Sequence, residues 1–283
     1  MVKIVISELI HYPVKSMRGV TSPSLKMSSM GLHGDRRWMV VDHQGDFLSQ
    51  RQIPKMATLS ASFTDHGLRL TADSKLGSGR QISVERPVDA GRCMPVTVWG
   101  DQCKGLAVDE RVNQWLSSEL EHPCLLVYMP MTTRRQVQGY PGSGFGFADG
   151  YPLLLTSKPS LQALNKRLVN EGQAAVTMDR FRPNLIVESE SDLEPFAEDR
   201  WASLTLGSLR LINAKACGRC QVVNTDQASG VGHGDREPLA TLRKFRMDSA
   251  GEICFGINLV AEWLGGASDA VLRPGDQLDV QLK

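Results

Sequence analysis

Cys217-Gly218-Arg219-Cys220, with the run Gln221 to Asp226 behind it, is the stretch whose reading decides the rest. Two soft sulfurs flank a cation. Upstream, Leu209 and Leu211 alternate within Ser208 to Ala214, the period of a half-buried strand. Downstream, Val222, Val223 and Thr225 are β-branched, which again favours a strand. The spacing therefore predicts a dithiol at a strand-to-strand bend, with no helix starting there. A redox CxxC of thioredoxin type draws on a helix N-terminus. Here the charge at hand is Arg219.

Outward from this point, Arg200 to Ala214 reads as a hairpin turning at Gly207-Ser208. Before it, Phe181-Arg182-Pro183-Asn184 leads into a strand at Leu185 to Val187. Ser157 is placed to cap a helix whose buried stripe is Leu161, Leu164 and Leu168, with Gly172 stopping it. Tyr151 to Leu155 and Leu125 to Met129 read as strands. Met131 to Gly150 contains five glycines and no helical period, so a flexible lid and a disordered loop are both open readings. It lacks the strand–GxGxxG–helix context of a dinucleotide site. Glu110 to Leu120 is a short amphipathic helix ended by His122-Pro123, with Trp115 expected in the core.

The N-terminal part is read as a compact β lobe. Ser60 to Val108 is a meander of short strands turning at Asp65-His66-Gly67 and Gly100-Asp101, with nothing catalytic-looking in it. Trp38 to Val41, the turn Asp42 to Asp46 and a return strand Phe47 to Gln50 form another hairpin. Lys3 to His11 is a strand that ends in the loop Tyr12 to Gly19, which carries Lys15, Ser16 and Arg18. Downstream of the dithiol, Pro238 opens a helical face of Leu239, Leu242 and Phe245, and Ile257 to Ala261 and Gln277 to Leu282 are strands. Many short strands, about three helices and no βαβ alternation predict a mixed, mostly β fold, a barrel with helices outside.

Composition narrows the function classes. The chain has 283 residues, 41% hydrophobic and 22% charged, and a net charge of +1 from 32 basic and 31 acidic residues. That balance gives no general attraction to nucleic acid or to an anionic membrane, so any basic site is a local cluster. No apolar run has the length of a membrane helix, and none reads as a signal peptide. The six cysteines are scattered with one motif pair, a pattern that fits a reducing compartment, and the expectation is cytoplasmic.

Three chemistries compete for the dithiol. Cys217 and Cys220 have zinc-finger spacing, and His233 and Cys254 are the remaining donors, but Arg236, Glu237 and Pro238 stand where a second His belongs. A hydrolase finds no GxSxG elbow and no HExxH, and nothing aims a His at Cys220. An anionic cofactor with a soft metal would use a thiolate for the metal and Lys15, Ser16, Arg36, Arg182 and Arg219 for phosphate.

The loop Tyr12 to Gly19 resembles the start of proteins that carry a MOSC domain behind an N-terminal β-barrel region. Gly34-Asp35-Arg36, Phe147 to Pro152, Phe181 to Leu185 and Cys217 to Cys220 are similar in order, as are Glu237-Pro238-Leu239, Phe255-Gly256, Asn258-Leu259 and Gly275-Asp276. The resemblance covers essentially the whole chain. It implies a MOSC-type barrel with outer helices over 125–283 and an N-terminal β lobe over 1–124, whose first strand and Lys15 loop join the cofactor site. It further implies the molybdenum cofactor (molybdopterin-bound molybdenum), with Cys220 as metal ligand and catalytic centre. Lys15, Ser16, Arg36, Arg182, Asn184, Gly218, Arg219 and Asn258 are implied as cofactor contacts, with Asp149 and Gly150 on the loop lining it.

The implied activity is reduction of N-hydroxylated compounds. Family members with an iron–sulfur domain carry cysteines for it, and none follows Cys254 here, so electrons are expected from a separate flavin or iron–sulfur reductase. The family's link to pyridoxal phosphate finds no matching lysine context. The family often has Ser where this chain has Gly218. A non-catalytic carrier of the cofactor or its sulfur is the rival function.

Overall fold

The computed structural model describes residues 3–72, 79–88, 93–130, 133–189, 193–232 and 234–283. His233, the remaining histidine of the zinc reading, lies outside them. Apolar residues at alternate positions build two β units that share the cavity described below.

The larger unit is a closed seven-stranded barrel. Its order is Leu185–Ser189, Leu153–Ser157, Cys254–Trp263, Leu209–Gly218, Trp201–Leu206, Gln277–Leu282 and Ile4–His11. Ile4–His11 then pairs with Leu185–Ser189 and closes the ring. Leu9, Leu155, Leu185, Leu211, Ile257 and Leu259 fill its core, each at most 1% exposed. Closure leaves no free barrel edge.

Two features depart from the sequence reading here. Leu153–Ser157 and Leu185–Ser189 are parallel, joined by helix α1 below as a true crossover, so one βαβ unit is present where none was expected. That helix, α1 (Lys158–Asn170), starts at Ser157, whose hydroxyl accepts from Ser160 N. A parallel neighbour needs such a crossover. The second departure is at the motif itself. Leu209–Gly218 runs on through Cys217 with bulges between Asn213 and Lys215 and between Ala216 and Gly218. Gln221–Asn224 is then a 3-10 turn capped by Cys220, not an extended run. Bulges re-aim side chains, and the turn overrides the weak β preference of Val222 and Val223.

The smaller unit holds two sheets. Leu59–Thr64, Gly67–Ala72 and Arg80–Glu85 form one. Trp38–Val41, Leu125–Tyr128, Asp101–Ala107 and Cys93–Val98 form the other. Leu125–Tyr128, which the expected boundary assigns to the barrel unit, is hydrogen-bonded between Trp38–Val41 and Asp101–Ala107. Trp38–Val41 is buried on both faces: Trp38 and Val40 enter one core, Met39 and Val41 another. The return strand expected at Phe47 to Gln50 is reduced to a single bridge, Val41 to Phe47. The helix Glu110–Leu120 forms as expected, with Asp109 accepting from Arg111 N at its start.

The glycine-rich segment is neither a lid nor disordered over its described residues. Arg135–Gln136 pairs with Gly144–Phe145, and residues 143–148 are buried. Arg135 anchors it, donating to Gly146 O at 3.2 Å and to Asp101 Oδ2 at 2.7 Å. Gly146 is required there: a Cβ would stand 2.5 Å from Arg36 O.

Candidate functional site

Every residue to which the sequence points lines one cavity of about 330 Å³ between the two units. The barrel unit brings Asp149, Gly150, Arg182, Asn184, Gly218, Arg219, Cys220 and Asn258. The loop after Ile4–His11 brings Lys15 and Ser16, and the approach to Trp38–Val41 brings Arg36. Ser16, Arg36 and Arg182 all take left-handed backbone, φ 67°, 47° and 56°. Non-glycine residues hold that conformation only where their surroundings fix it.

Tyr12 organises two of the cations. The guanidinium carbons of Arg36 and Arg182 each lie 4.3 Å from its ring centroid. Its hydroxyl donates to Pro183 O at 3.0 Å, and burial pushes that hydroxyl up to about 12. Burial brings the Arg182 guanidinium down to about 10, so it keeps its charge at neutral pH. Its Nη1 is buried with no hydrogen-bond partner, as is Arg219 Nε. A buried charged donor left unmade is costly, and an anion in the cavity would supply the missing acceptors.

Asn184 sits differently from a direct ligand contact. Its carbonyl accepts from Arg36 Nη1 at 2.9 Å and Leu154 N at 3.2 Å. Its amide donates to Ile10 O at 3.1 Å and Asp35 Oδ1 at 3.2 Å. Two donors and two acceptors are all a side-chain amide has, so Asn184 orients Arg36. Gly218 also has a local reason. A Cβ would come 2.9 Å from Glu252 Oε2, which is held at 2.9 Å by Lys215. The serine common in the family would need Glu252 to move.

Lys15 is 5% exposed and donates to Phe147 O at 2.8 Å while pairing with Asp149. Burial lowers the Lys15 ammonium, and Asp149 works against that. The Asp149 side chain is 68% exposed, and although crowding by the cavity wall opposes ionisation, Lys15, the Trp99 indole N–H at 2.9 Å and Arg51 outweigh it and hold the carboxyl below the usual range, an effect that solvent weakens. A depressed carboxyl contributes stability that is present above its unfolded value and lost as pH falls through the folded one. Asp149→Asn is therefore expected to lower the thermal midpoint at pH 7. The gap to the parent should narrow as pH falls below about 4, followed by thermal unfolding across a pH series.

The two sulfurs have separate guanidinium partners. Arg219 Nη1 donates to Cys217 Sγ at 2.8 Å, and Arg219 also donates to Phe181 O. Cys220 Sγ instead accepts from Arg51 Nη2 at 3.0 Å. The cation beside the Cys220 sulfur is thus Arg51, from the other unit, where the sequence points to Arg219, and Cys217 is a partly exposed cavity residue. Among the described residues, the His, Cys and carboxylate groups that converge by threes are Asp248, Glu252 and Cys254, without Cys217 or Cys220. Cys254 has its thiol pushed up to about 11 by burial and by Asp248.

Sequence reasoning missed Phe47, Arg51 and Trp99. Trp99 stands at the turn between Cys93–Val98 and Asp101–Ala107, in the meander that looked featureless. Its ring lies 5.1 Å from Phe47 and 4.4 Å from the Arg51 guanidinium. An exposed aromatic at a hairpin tip was the available signal.

The MOSC N-terminal beta barrel domain matches residues 3–123, and the MOSC domain matches residues 143–279. This chain belongs to the MOSC family. It is 30% identical to the mitochondrial amidoxime-reducing component 1 of Xenopus laevis over 96% of this chain and 80% of that protein. The human component 1 is 31% identical, over 85% of this chain and 72% of that protein. The molybdenum cofactor sulfurase of Oryza sativa subsp. japonica is 31% identical over 90% of this chain, which spans 32% of that protein. These relatives support a molybdenum-cofactor-related function for the MOSC chain. No helix among the described residues is long and apolar enough to cross a membrane.

Proposed function

We propose that this MOSC protein binds the molybdenum cofactor and reduces N-hydroxylated compounds with electrons from a separate protein. The observation that carries this is the cavity: a cysteine sulfur, Cys220, faces the same space as Lys15, Arg36, Arg182 and Arg219. The donor set fits the group. A soft thiolate suits the metal, and Arg182 Nη1 and Arg219 Nε, buried and unpartnered, suit a phosphate.

In this reading Cys220 ligates the metal, which supplies two-electron chemistry when bound. Arg182, Arg36 and Arg219 hold the anionic end, with Arg36 oriented by Asn184 and Asp35. Gly218, Gly150, Asn258, Asp149 and Ser16 line the same cavity and would be the groups left to meet the pterin. Phe47 adds an aromatic side chain to the cavity wall.

Purified full-length protein from a host that makes the cofactor should hold about one molybdenum per chain. It should reduce an amidoxime with reduced viologen but not with NADH alone. Metal-free protein, or turnover with NADH and no partner, would count against the reading.

The sulfurase similarity favours one alternative, a non-catalytic carrier. That alternative expects fast cofactor transfer to a cofactor-free enzyme and no turnover with viologen.

A further inference from the structure

Among the described residues, Arg51 is the cavity cation whose N–H reaches the Cys220 sulfur, at 3.0 Å, and the proposed function gives it no role. One direct contact holds it, and its two neighbours, in space and in sequence, are themselves held. Its guanidinium lies 4.4 Å over the Trp99 ring. Trp99 in turn is tied to the barrel unit through Asp149 Oδ1 at 2.9 Å and is backed by Phe47. The preceding residue, Gln50, is 1% exposed and forms a reciprocal amide pair with Gln227: 3.0 Å one way and 2.9 Å the other. Gln50 also donates to Ser16 O at 2.8 Å, and Gln227 to Thr225 O at 3.1 Å. The chain just before Arg51 is thereby locked to the chain just after Cys220.

A loose surface arginine would show none of this. Burying two complete side-chain amides is costly unless every group is met, and here they fix the register between the two units at the sulfur. A planar guanidinium on an aromatic face is pre-organised for one direction of donation.

We infer that Arg51 is a positioning residue for the Cys220 sulfur: the smaller unit reaches across the cavity to aim that sulfur at the metal and to withdraw electron density from it. The inference rests on Cys220 as the metal ligand. Hydrogen bonds to ligating sulfur set the electronic character of metal–thiolate centres. Without the Arg51 donor, the sulfur would donate more strongly to the metal, and the midpoint potential of the centre would move to more negative values.

The test uses full-length Arg51→Gln and Arg51→Lys in two forms. In cofactor-free protein, alkylation of Cys220 by iodoacetate and by neutral iodoacetamide is followed by peptide mass spectrometry. The ratio of the two rates reports a cation beside the sulfur and cancels its protonation. It should fall by roughly fivefold in Arg51→Gln, the effect of one unit charge at about 4 Å in water, and recover in Arg51→Lys. In loaded protein, Arg51→Gln should show a more negative midpoint potential and a changed electron-paramagnetic signal of the half-reduced metal.

An unchanged ratio overturns the inference whatever the metal content. Wild-type protein without molybdenum would overturn the functional reading instead, while the ratio still decides where Arg51 acts. If Arg51→Gln does not fold, Trp99→Leu removes the face beneath the guanidinium and should lower the ratio to a lesser degree. No change there also counts against the inference.

Discussion

Cys220→Ala is expected to abolish N-hydroxyl reduction and to release molybdenum, while Cys217→Ala keeps most of both. Loss of groups that only orient metal ligands costs about ten- to a hundredfold in affinity or activity, so loss of the ligand itself should reach at least about a hundredfold. Cys217 has a different partner. Its sulfur accepts from Arg219 Nη1 at 2.8 Å, and losing a hydrogen bond from a charged donor costs at most about 1.5–3 kcal/mol of stability, which leaves the guanidinium in the cavity and still able to meet an anion. Metal content, visible absorbance and viologen-driven turnover measured side by side decide between them. Equal losses with one zinc per wild-type chain would restore the structural-zinc reading, and loss in Cys217→Ala alone would name the other sulfur as ligand.

Arg182→Lys should lose cofactor while staying folded. The residue ends the 3-10 turn Met178–Phe181 in left-handed backbone, which points its guanidinium along the Tyr12 ring. A lysine there keeps the charge but gives one compact donor in place of the planar fork. A charge-assisted hydrogen bond is worth about 1.5–3 kcal/mol, or about ten- to a hundredfold in affinity. The unpartnered Nη1 is the group expected to make it. The cofactor off-rate, read as metal remaining through gel filtration, checks this. An unchanged off-rate would take Arg182 out of the anion site.

The barrel was legible because its strands are short apolar runs, alternating in Leu209–Gly218 and continuous in Leu153–Ser157, and the motif residues were legible because each lies on a short Pro- or Gly-bounded loop. Lys15, Arg36 and Arg182 were marked that way, and they do meet. Local pattern could not give the direction of pairing. Leu153–Ser157 and Leu185–Ser189 look alike whether parallel or antiparallel, so the crossover was missed. The turn after Cys220 was read from β-branching alone, although packing of Val223 against Leu242 and Phe255 decides it. Arg51 and Trp99 carried no motif, since their significance comes from a meeting of two units distant in sequence. The packing of 143–148 likewise depends on one long-range side chain, Arg135, which no glycine count reveals.

The closure of the barrel by Ile4–His11 sets an order of events during synthesis. That strand is made well before its barrel partners, Leu185–Ser189 and, at Ile4 and Val5, Leu278 and Gln277; Val20–Thr21 is its one near neighbour among the described pairings. Contacts so far apart in sequence form slowly because a long loop must be closed before they are rewarded. A nascent chain therefore carries an apolar strand paired only at its end, with Val20–Thr21, until Gln277–Leu282 has been made, and the cavity, whose Lys15 loop hangs from that strand, is complete only then. If the proposed cofactor is bound, it would enter only after ring closure, and the interval before closure is when a folding chain of this topology is most exposed to aggregation.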